Sequence, residues 1–220
     1  MAGKRFIFWG ASGHAKVLRD LLALQDDILV ALFDNDGSVQ SPWPDMAVHH
    51  GNAALRDWLA KHNSAPLYAA IAVGGARGKD RRMLAAELAA RGALLPALIH
   101  PHASVARSAV IGAGSQVLAG AVVAADALLG SCVIINSGAS ADHECRLDDG
   151  VHLAPRATVC GCVSVGENSL IGPGAVVIPR IRIGANSIIG AGAIVTRDIP
   201  DGVVAWGSPA KIMRYKPDLN

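Results

Sequence analysis

A histidine followed directly by a glutamate, His143-Glu144, is the part of this sequence best suited to acid–base chemistry. Imidazole has an ordinary pKa of about 6.5, so it exchanges protons near neutral pH. An adjacent carboxylate orients the ring or raises its basicity. The pair lies in a hexapeptide, residues 141–146, that is mostly charged or small. We therefore predict a general base at His143, with a solvated polar face as the alternative.

The residues around this pair repeat with a strict period of six. At every sixth position from Val105 to Val195, the residue is Val, Ile or Leu in fifteen of sixteen cases, and Ala141 is the exception. The fourth residue after each is nearly always small, which predicts a parallel β-helix with three faces in each coil of about eighteen residues. Glycine often follows the aliphatic residue, at Gly112, Gly130, Gly166, Gly172, Gly184 and Gly190. We expect these glycines to form tight corners.

Stacking of the coils brings a third residue to the His143 pair. Residues eighteen apart lie one above the other, about 4.8 Å apart as in any sheet, so Gly161 lies one coil from His143. A glycine leaves its backbone N–H open to a ligand, and we predict that this N–H stabilises an oxyanion. Cys145 is the nearby candidate for a covalent nucleophile, but its register is an inward, small position, which argues against that role.

Two polar residues lie elsewhere on the predicted coil. His152 follows His143 by half a coil and points from another part of the triangular section, so the two are expected to converge across a subunit boundary. A plain surface histidine is the alternative. Asn136 precedes His143 on the previous face and is predicted to hold a substrate group, or merely to cap an open turn.

The residues before about 100 follow a different pattern, in which apolar runs alternate with amphipathic stretches. This alternation predicts a Rossmann-like α/β domain over residues 1–100, followed by the β-helix over residues 101–220. We predict strands at 6–9, 28–33 and 67–73, helices at 14–24, 53–61 and 81–91, and a loop at 38–44.

The turn after the first predicted strand is rich in small residues, Gly10-Ala11-Ser12-Gly13-His14. A turn of this kind at a helix N-terminus suits a phosphate group. Asp34 follows the second strand, where nucleotide-binding sheets often place an acidic residue against a ribose or base. Gly74, past the third strand, would border the same crevice. The full GxGxxG pattern is absent, so a structural strand-to-helix turn is the alternative.

Composition excludes several other functions. A net charge of +2 with 17% charged residues gives no excess suited to nucleic acid. No apolar run approaches the ~20 residues that span a bilayer, and we expect a soluble, cytoplasmic protein. The four cysteines form no CxxC pair and lie inside the repeats, so buried thiols are expected in place of a metal site or disulfide.

Together these residues resemble the bacterial hexapeptide-repeat sugar acetyltransferases, which include the bacillosamine-pathway N-acetyltransferase and the sialic-acid O-acetyltransferases. The ending Gly207-Ser208-Pro209-Ala210-Lys211 is similar to one common in that superfamily. The resemblance implies a left-handed helix, although general chirality rules favour right-handed crossovers. It also implies a homotrimer with active sites between subunits, acetyl-CoA as cosubstrate without a metal, and a UDP- or GDP-linked 4-amino-4,6-dideoxy sugar as acceptor.

Carried over by position, the resemblance makes His143 the base and Glu144 its assistant. The N–H of Gly161, assigned by the stacking argument, would then stabilise the oxyanion formed when an amine attacks the thioester. It implies nucleotide-sugar contacts at Ser12, Gly13, His14, Asp34, Asn35 and Gly74, a sugar or acetyl contact at Asn136, and acetyl-CoA contacts at His152, Pro173 and Ala191. We therefore predict N-acetylation of a nucleotide-linked amino sugar by direct attack. O-acetylation of sialic acid or another cell-surface sugar is the first alternative, and a trimeric nucleotide-binding scaffold without catalysis is the second.

Overall fold

The structure is a computed structural model that describes residues 3–62 and 66–215. The chain divides into two compact units: Met1–Val73 with Met83–Pro96, and Gly74–Arg82 with Ala97–Asn220. The sequence-based boundary after residue 100 comes shortly after the chain enters the second unit at Ala97. Residues 74–82 also belong to the second unit, and no feature of the sequence predicted this. Among the described residues, no helix combines the length and apolarity needed to cross a membrane.

The first unit contains a parallel sheet with the strand order β3-β2-β1-β4. Its strands are β1 Arg5–Trp9, β2 Ile28–Asp34, β3 Val48–His50 and β4 Tyr68–Ile71, and the helices along this part of the chain are α1 Gly13–Ala23, α2 Gly51–Lys61 and α3 Gly78–Ala90. Phe6, Ile7 and Phe8 in the inner strand β1 are fully buried, as expected for a parallel sheet covered on both faces. The predicted strands and helices are present with small shifts at their ends. The short edge strand β3 was not predicted, because two of its three residues are histidines.

The second unit is the parallel β-helix. Strands β5 to β21 have two residues each and are, in order, Leu98–Ile99, Ser104–Val105, Val110–Ile111, Gln116–Val117, Val122–Val123, Leu128–Leu129, Ile134–Ile135, Ser140–Ala141, Arg146–Leu147, His152–Leu153, Thr158–Val159, Ser164–Val165, Leu170–Ile171, Val176–Val177, Arg182–Ile183, Ile188–Ile189 and Ile194–Val195. These strands form three parallel sheets, and each sheet takes every third strand. The sheets are called face 1, which begins with β5, face 2, which begins with β6, and face 3, which begins with β7. A hairpin of β22 Val203–Gly207 and β23 Ala210–Tyr215 then extends face 1.

The pairing register within each face is eighteen residues, as predicted: Leu129 pairs with Leu147, and Leu147 with Val165. The aliphatic residue of each repeat and the small residue four positions later point inward and form one continuous core. Ala141 keeps this arrangement, because its side chain is fully buried like the aliphatic residues in equivalent positions. The loss of the large aliphatic residue at Ala141 therefore does not interrupt the packing: the charged residues occupy the turn, and the core continues beneath them.

The corners of the coil depend on residues with positive φ, one in each repeat. They lie three positions after the aliphatic residue and are Gly114, Gly120, Asp126, Cys132, Gly138, Glu144, Gly150, Arg156, Cys162, Asn168, Gly174, Arg180, Asn186 and Gly192. The predicted corner glycines, such as Gly112 and Gly172, do not have positive φ. A Cβ on Gly112 would lie 2.5 Å from the carbonyl carbon of Gly130 in the next coil, far inside van der Waals contact. These glycines therefore permit close approach between coils.

Candidate active site

His143 and Glu144 are the two central residues of a turn at the corner between faces 2 and 3. The turn is closed by a hydrogen bond from the backbone N–H of Cys145 to the carbonyl oxygen of Asp142, with an N···O distance of 3.3 Å. Glu144 takes the positive φ of the corner, +58°. A type II turn requires positive φ at this position. The Asp142 carboxylate also accepts a hydrogen bond from the backbone N–H of His143 at 2.7 Å, a role that the sequence analysis missed.

The side chains of this turn form a hydrogen-bonded pair, with Nδ1 of His143 3.1 Å from Oε2 of Glu144. The pKa of the Glu144 carboxyl is held below its ordinary value, first by its hydrogen bond to His143 and then by one from Cys162. Because the carboxylate is therefore ionised and only accepts, the neutral imidazole donates from Nδ1. That tautomer leaves the lone pair of Nε2 available to accept a proton. The His143 and Glu144 side chains are 55% and 62% exposed, so a substrate can approach them.

Gly161 lies against the His143 ring, one coil away. A Cβ on Gly161 would collide with ring atoms Cε1 and Nε2 of His143. The backbone of the two coils is joined here, because the N–H of Cys162 donates to the carbonyl oxygen of His143 at 2.9 Å. The N–H of Gly161 itself donates no hydrogen bond to any group in the part of the chain that the structure describes. Gly161 is buried beneath the ring, and its N–H is an unpaired donor, among the described residues, directly beside the base.

Cys162 is a site residue that the sequence analysis missed. Its Sγ lies 3.6 Å from Oε2 of Glu144, the same oxygen that His143 contacts. Desolvation and the neighbouring Glu144 carboxylate raise the pKa of the Cys162 thiol, so the thiol stays protonated and donates to the carboxylate. The step of eighteen residues that leads from His143 to Gly161 also leads from Glu144 to Cys162, so the signal was available in the sequence.

Cys145 points inward, as its register predicted. Its side chain is fully buried, and its Sγ contacts the carbonyl oxygen of Cys160 at 3.1 Å. Burial raises the pKa of the thiol to about 11. A covalent nucleophile needs an accessible thiolate, so Cys145 is unsuited to that role.

Asn136 and His152 form a second group, at face 1 and its corner with face 2. The two side chains are joined by a hydrogen bond of 3.1 Å between Nδ2 of Asn136 and Nε2 of His152. Nδ1 of His152 is 3.2 Å from the carbonyl oxygen of Gly75. Because the carbonyl only accepts, Nδ1 carries the proton and Nε2 accepts from Asn136. His152 is only 4% exposed, so the interpretation as a plain surface histidine was wrong.

A buried arginine holds the segment that supplies the Gly75 carbonyl. Arg81 is 1% exposed, and its guanidinium donates to the carbonyl oxygens of Gly75 at 3.3 Å, Cys132 at 3.2 Å and Gly150. Desolvation lowers the pKa of Arg81 to about 10, which still leaves it charged at neutral pH. Arg81 thus links residues 74–82 to the β-helix. Because it holds the Gly75 carbonyl that His152 contacts, Arg81 also orients His152 indirectly.

Pro173 and Ala191 lie on the same corner as Asn136. They are eighteen residues apart, both are exposed, and the N–H of Gly192 donates to the carbonyl oxygen of Pro173 at 2.9 Å. In one chain this corner is separate from the corner that carries His143. The structure therefore forms two groups: one of His143, Glu144 and Gly161, and one of Asn136, His152, Pro173 and Ala191.

The predicted nucleotide contacts of the first unit lie where β1 and β2 end. Both oxygens of Asp34 accept hydrogen bonds of 3.0 Å from backbone N–H groups, those of Ala11 and Asp36. Ser12 is the N-cap of α1, and within the described part of the chain its side chain makes no cap hydrogen bond. Ser12, Gly13 and Asn35 are exposed, and His14 is half-buried. Gly74 is also half-buried, but it belongs to the second unit.

Comparison with known proteins places these features in a family. Residues 162–197 match the family described as bacterial transferase hexapeptide (six repeats). A comparison with curated proteins gave no match.

Three solved structures are similar to nearly the whole chain. PerB from Caulobacter crescentus, solved in complex with CoA and GDP-perosamine, is 38% identical, and the match covers 97% of this chain and 99% of that chain with a TM-score of 0.85. The acetyltransferase domain of PglB from Neisseria gonorrhoeae is 36% identical over 96% of this chain and 100% of that chain, with a TM-score of 0.83. WeeI from Acinetobacter baumannii is 25% identical over 96% of this chain and 100% of that chain, with a TM-score of 0.85.

The α/β unit and left-handed parallel β-helix expected from the sequence are therefore confirmed. The chain belongs to the bacterial hexapeptide-repeat sugar acetyltransferases, and it is an acetyl-CoA-dependent enzyme of that family.

Proposed function

We propose that this enzyme transfers acetyl from acetyl-CoA to the amine, at C4, of a nucleotide-linked amino-dideoxy sugar. The observation that carries the proposal is the 3.1 Å contact between Nδ1 of the half-exposed His143 ring and the Glu144 carboxylate. Because the carboxylate accepts, this contact assigns the ring proton to Nδ1 and leaves Nε2 as the acceptor. The similarity to PerB, solved with CoA and GDP-perosamine, supports this substrate class and makes GDP-perosamine the first compound to test.

In the proposed reaction, Nε2 of His143 takes a proton from the sugar amine as its nitrogen attacks the thioester carbonyl carbon. The C–N bond forms, the C–S bond breaks, and CoA leaves as a thiolate that is then protonated. Glu144 stabilises the imidazolium that forms, and the N–H of Gly161 donates to the carbonyl oxygen as it gains negative charge. Acetyl passes directly between substrates because Cys145 is buried.

We further propose that the first unit binds the nucleotide. The helix α1 begins at Gly13, and the partial positive charge at a helix N-terminus attracts phosphate. Ser12, Gly13 and His14 would contact the phosphates, and Asn35 the ribose or base. Asp34 already accepts from two backbone N–H groups, so part of its role is to hold the turn in place.

Acetyl-CoA is proposed to bind between subunits of a homotrimer. The support is geometric: His143 and the group of Asn136, His152, Pro173 and Ala191 lie on different corners of one chain. A neighbouring copy related by the trimer axis would bring its own Asn136 corner to the His143 corner. In this arrangement His152, which is nearly buried, fixes the Asn136 amide, and the exposed Pro173 and Ala191 line the CoA path.

Mixed trimers test the shared site. The His143→Asn and Asn136→Ala variants are first assayed alone, where each is expected to lose most of its activity, and are then unfolded together, refolded and assayed. If the site combines His143 of one subunit with Asn136 of the next, about a quarter of the interfaces in a random mixture regain both residues. No recovery in verified mixed trimers would show that each subunit supplies both residues itself.

The transfer itself is tested with acetyl-CoA, panels of UDP- and GDP-linked amino sugars, and release of the CoA thiol as readout. His143→Asn should lower kcat by about 10²–10⁴-fold with little change in KM. His102→Asn, at an exposed histidine in the same unit, is the matched control. Full turnover by His143→Asn would refute the assignment of the base. Sugars that offer only hydroxyl groups, such as sialic acid, are assayed in parallel, and thiol release with these acceptors alone would favour O-acetylation. Absence of thiol release with every sugar tested would favour a scaffold without catalysis.

A further inference from the structure

The His143 corner has a donor set and a geometry that suit a metal ion. A nitrogen of His143, an oxygen of Glu144 and the sulfur of Cys162 all lie within 4.8 Å of one another. Zinc binds such donors tetrahedrally with bonds of about 2.0–2.3 Å, which places its ligand atoms about 3.3–3.7 Å apart. The structure has 3.1 Å from Nδ1 of His143 to Oε2 of Glu144 and 3.6 Å from that oxygen to Sγ of Cys162. These two distances are within well under 1 Å of the zinc geometry. The third distance, from the His143 nitrogen to the Cys162 sulfur, is within 4.8 Å and must shorten by at most about 1 Å.

We propose that His143, Glu144 and Cys162 form a zinc site that reversibly switches the enzyme off. The three residues are close because of the repeat: the first two are adjacent in one turn, and Cys162 occupies the equivalent of position 144 in the next coil. One thiolate and one carboxylate supply two negative charges, which match the charge of Zn²⁺. The thiol proton is released to solvent on binding. Because the His143 and Glu144 side chains are more than half exposed, the ion can enter and keep a water molecule as its fourth ligand.

Inhibition follows from the tautomer of the histidine and rests on the proposed role of His143 as base. Without zinc, the single proton of the neutral ring is on Nδ1 and Nε2 accepts. Zinc on Nδ1 needs that lone pair, so the ring proton moves through solvent to Nε2. Nε2 then becomes a donor and cannot take the proton of the amine. The ion also replaces the hydrogen bond between His143 and Glu144.

Binding is tested without any sugar substrate. The untagged full chain, freed of metal with a chelator, is titrated with cobalt(II), whose bonds to thiolate give a charge-transfer absorption band. We expect one ion per chain with that band, displacement by zinc, and no band with magnesium, which prefers oxygen ligands. Cys162→Ser should weaken cobalt binding by about 100-fold or more, because loss of even an outer-shell partner costs about 10–100-fold.

Cys160→Ser is the matched control, since Cys160 lies two residues away in the same turn and is not one of the three donors. It should bind cobalt like the parent protein. The proposal fails if the parent shows no thiolate band, or if Cys162→Ser keeps the band and the affinity. Melting curves of both variants show whether a loss of binding reflects loss of fold.

Inhibition is then measured in the acetylation assay as the zinc concentration that halves each protein's own metal-free rate. We expect a chelator to restore the acetylation rate of the parent protein. Half-inhibition of Cys162→Ser should need about 100-fold more zinc than half-inhibition of the parent. Cobalt binding without zinc inhibition would overturn the switch. A protein that binds cobalt through Cys162 but acetylates no sugar would instead refute the proposed function and leave the metal site standing.

Discussion

Replacement of Gly161 by alanine adds one methyl group directly against the proposed base. The new Cβ would collide with Cε1 and Nε2 of His143, so the ring must move by roughly 1 Å to regain ordinary contact near 3.5–4.0 Å. The exposed ring is free to swing outward. A misplacement of about 1 Å in a catalytic group costs about 10²-fold in rate, which corresponds to about 2.7 kcal/mol of barrier. We therefore expect kcat of Gly161→Ala to fall about 100-fold.

The fold should tolerate this change. Alanine already occupies the equivalent turn position at Ala113, Ala119 and Ala125, and the φ of Gly161 is not positive. Gly37→Ala, at a glycine whose Cβ would meet no atom of the described residues within 4 Å, is the matched control. Circular dichroism, melting curves and the oligomeric state should be those of the parent for both variants.

A double-mutant cycle shows whether the methyl group acts through the histidine. Because Gly161→Ala is expected to displace the His143 ring, it should cause little further loss in a His143→Ala background. An additional 100-fold loss in that background would mean that Gly161 acts independently, for example through its N–H. An unchanged kcat for Gly161→Ala alone would refute the stacking argument.

Two further predictions concern the cysteine thiols and the buried arginine. Alkylation by iodoacetamide followed by mass spectrometry should label the partly exposed Cys162 and spare the fully buried Cys145, and Cys145→Ala should keep its acetylation rate. Rapid labelling of Cys145, or loss of activity on its replacement, would reopen the covalent route. Arg81→Met should lower the free energy of unfolding by about 3 kcal/mol, because it leaves buried carbonyl oxygens without a donor at about 1–3 kcal/mol each. In denaturant titrations the exposed Arg77→Met control should stay within about 0.5 kcal/mol of the parent, and equal effects would contradict the role given to Arg81.

The repeat made much of the active corner predictable from the sequence. A period of six defines which side chains point inward, and a step of eighteen defines which residues stack, so the spacing alone assigns Gly161 to His143. Both rules depend on regular local geometry repeated along one axis. The same step of eighteen residues relates Glu144 to Cys162, but their contact was not predicted, because a cysteine in a repeat array suggested only a buried thiol.

Other features depend on contacts between distant residues or between backbone atoms of adjacent coils. The burial of His152 is a tertiary effect, because Arg81 holds residues 74–82 in place and so supplies the Gly75 carbonyl. The glycines at positions such as Gly112 are needed for close approach of neighbouring coils, while the positive φ belongs to residues two positions later. Sequence by itself therefore determined the repeat, the inward core and the stack at His143. Only the tertiary structure decided which polar side chains are buried, which tautomers they adopt and which corners they share, since partners far apart in the sequence govern these properties.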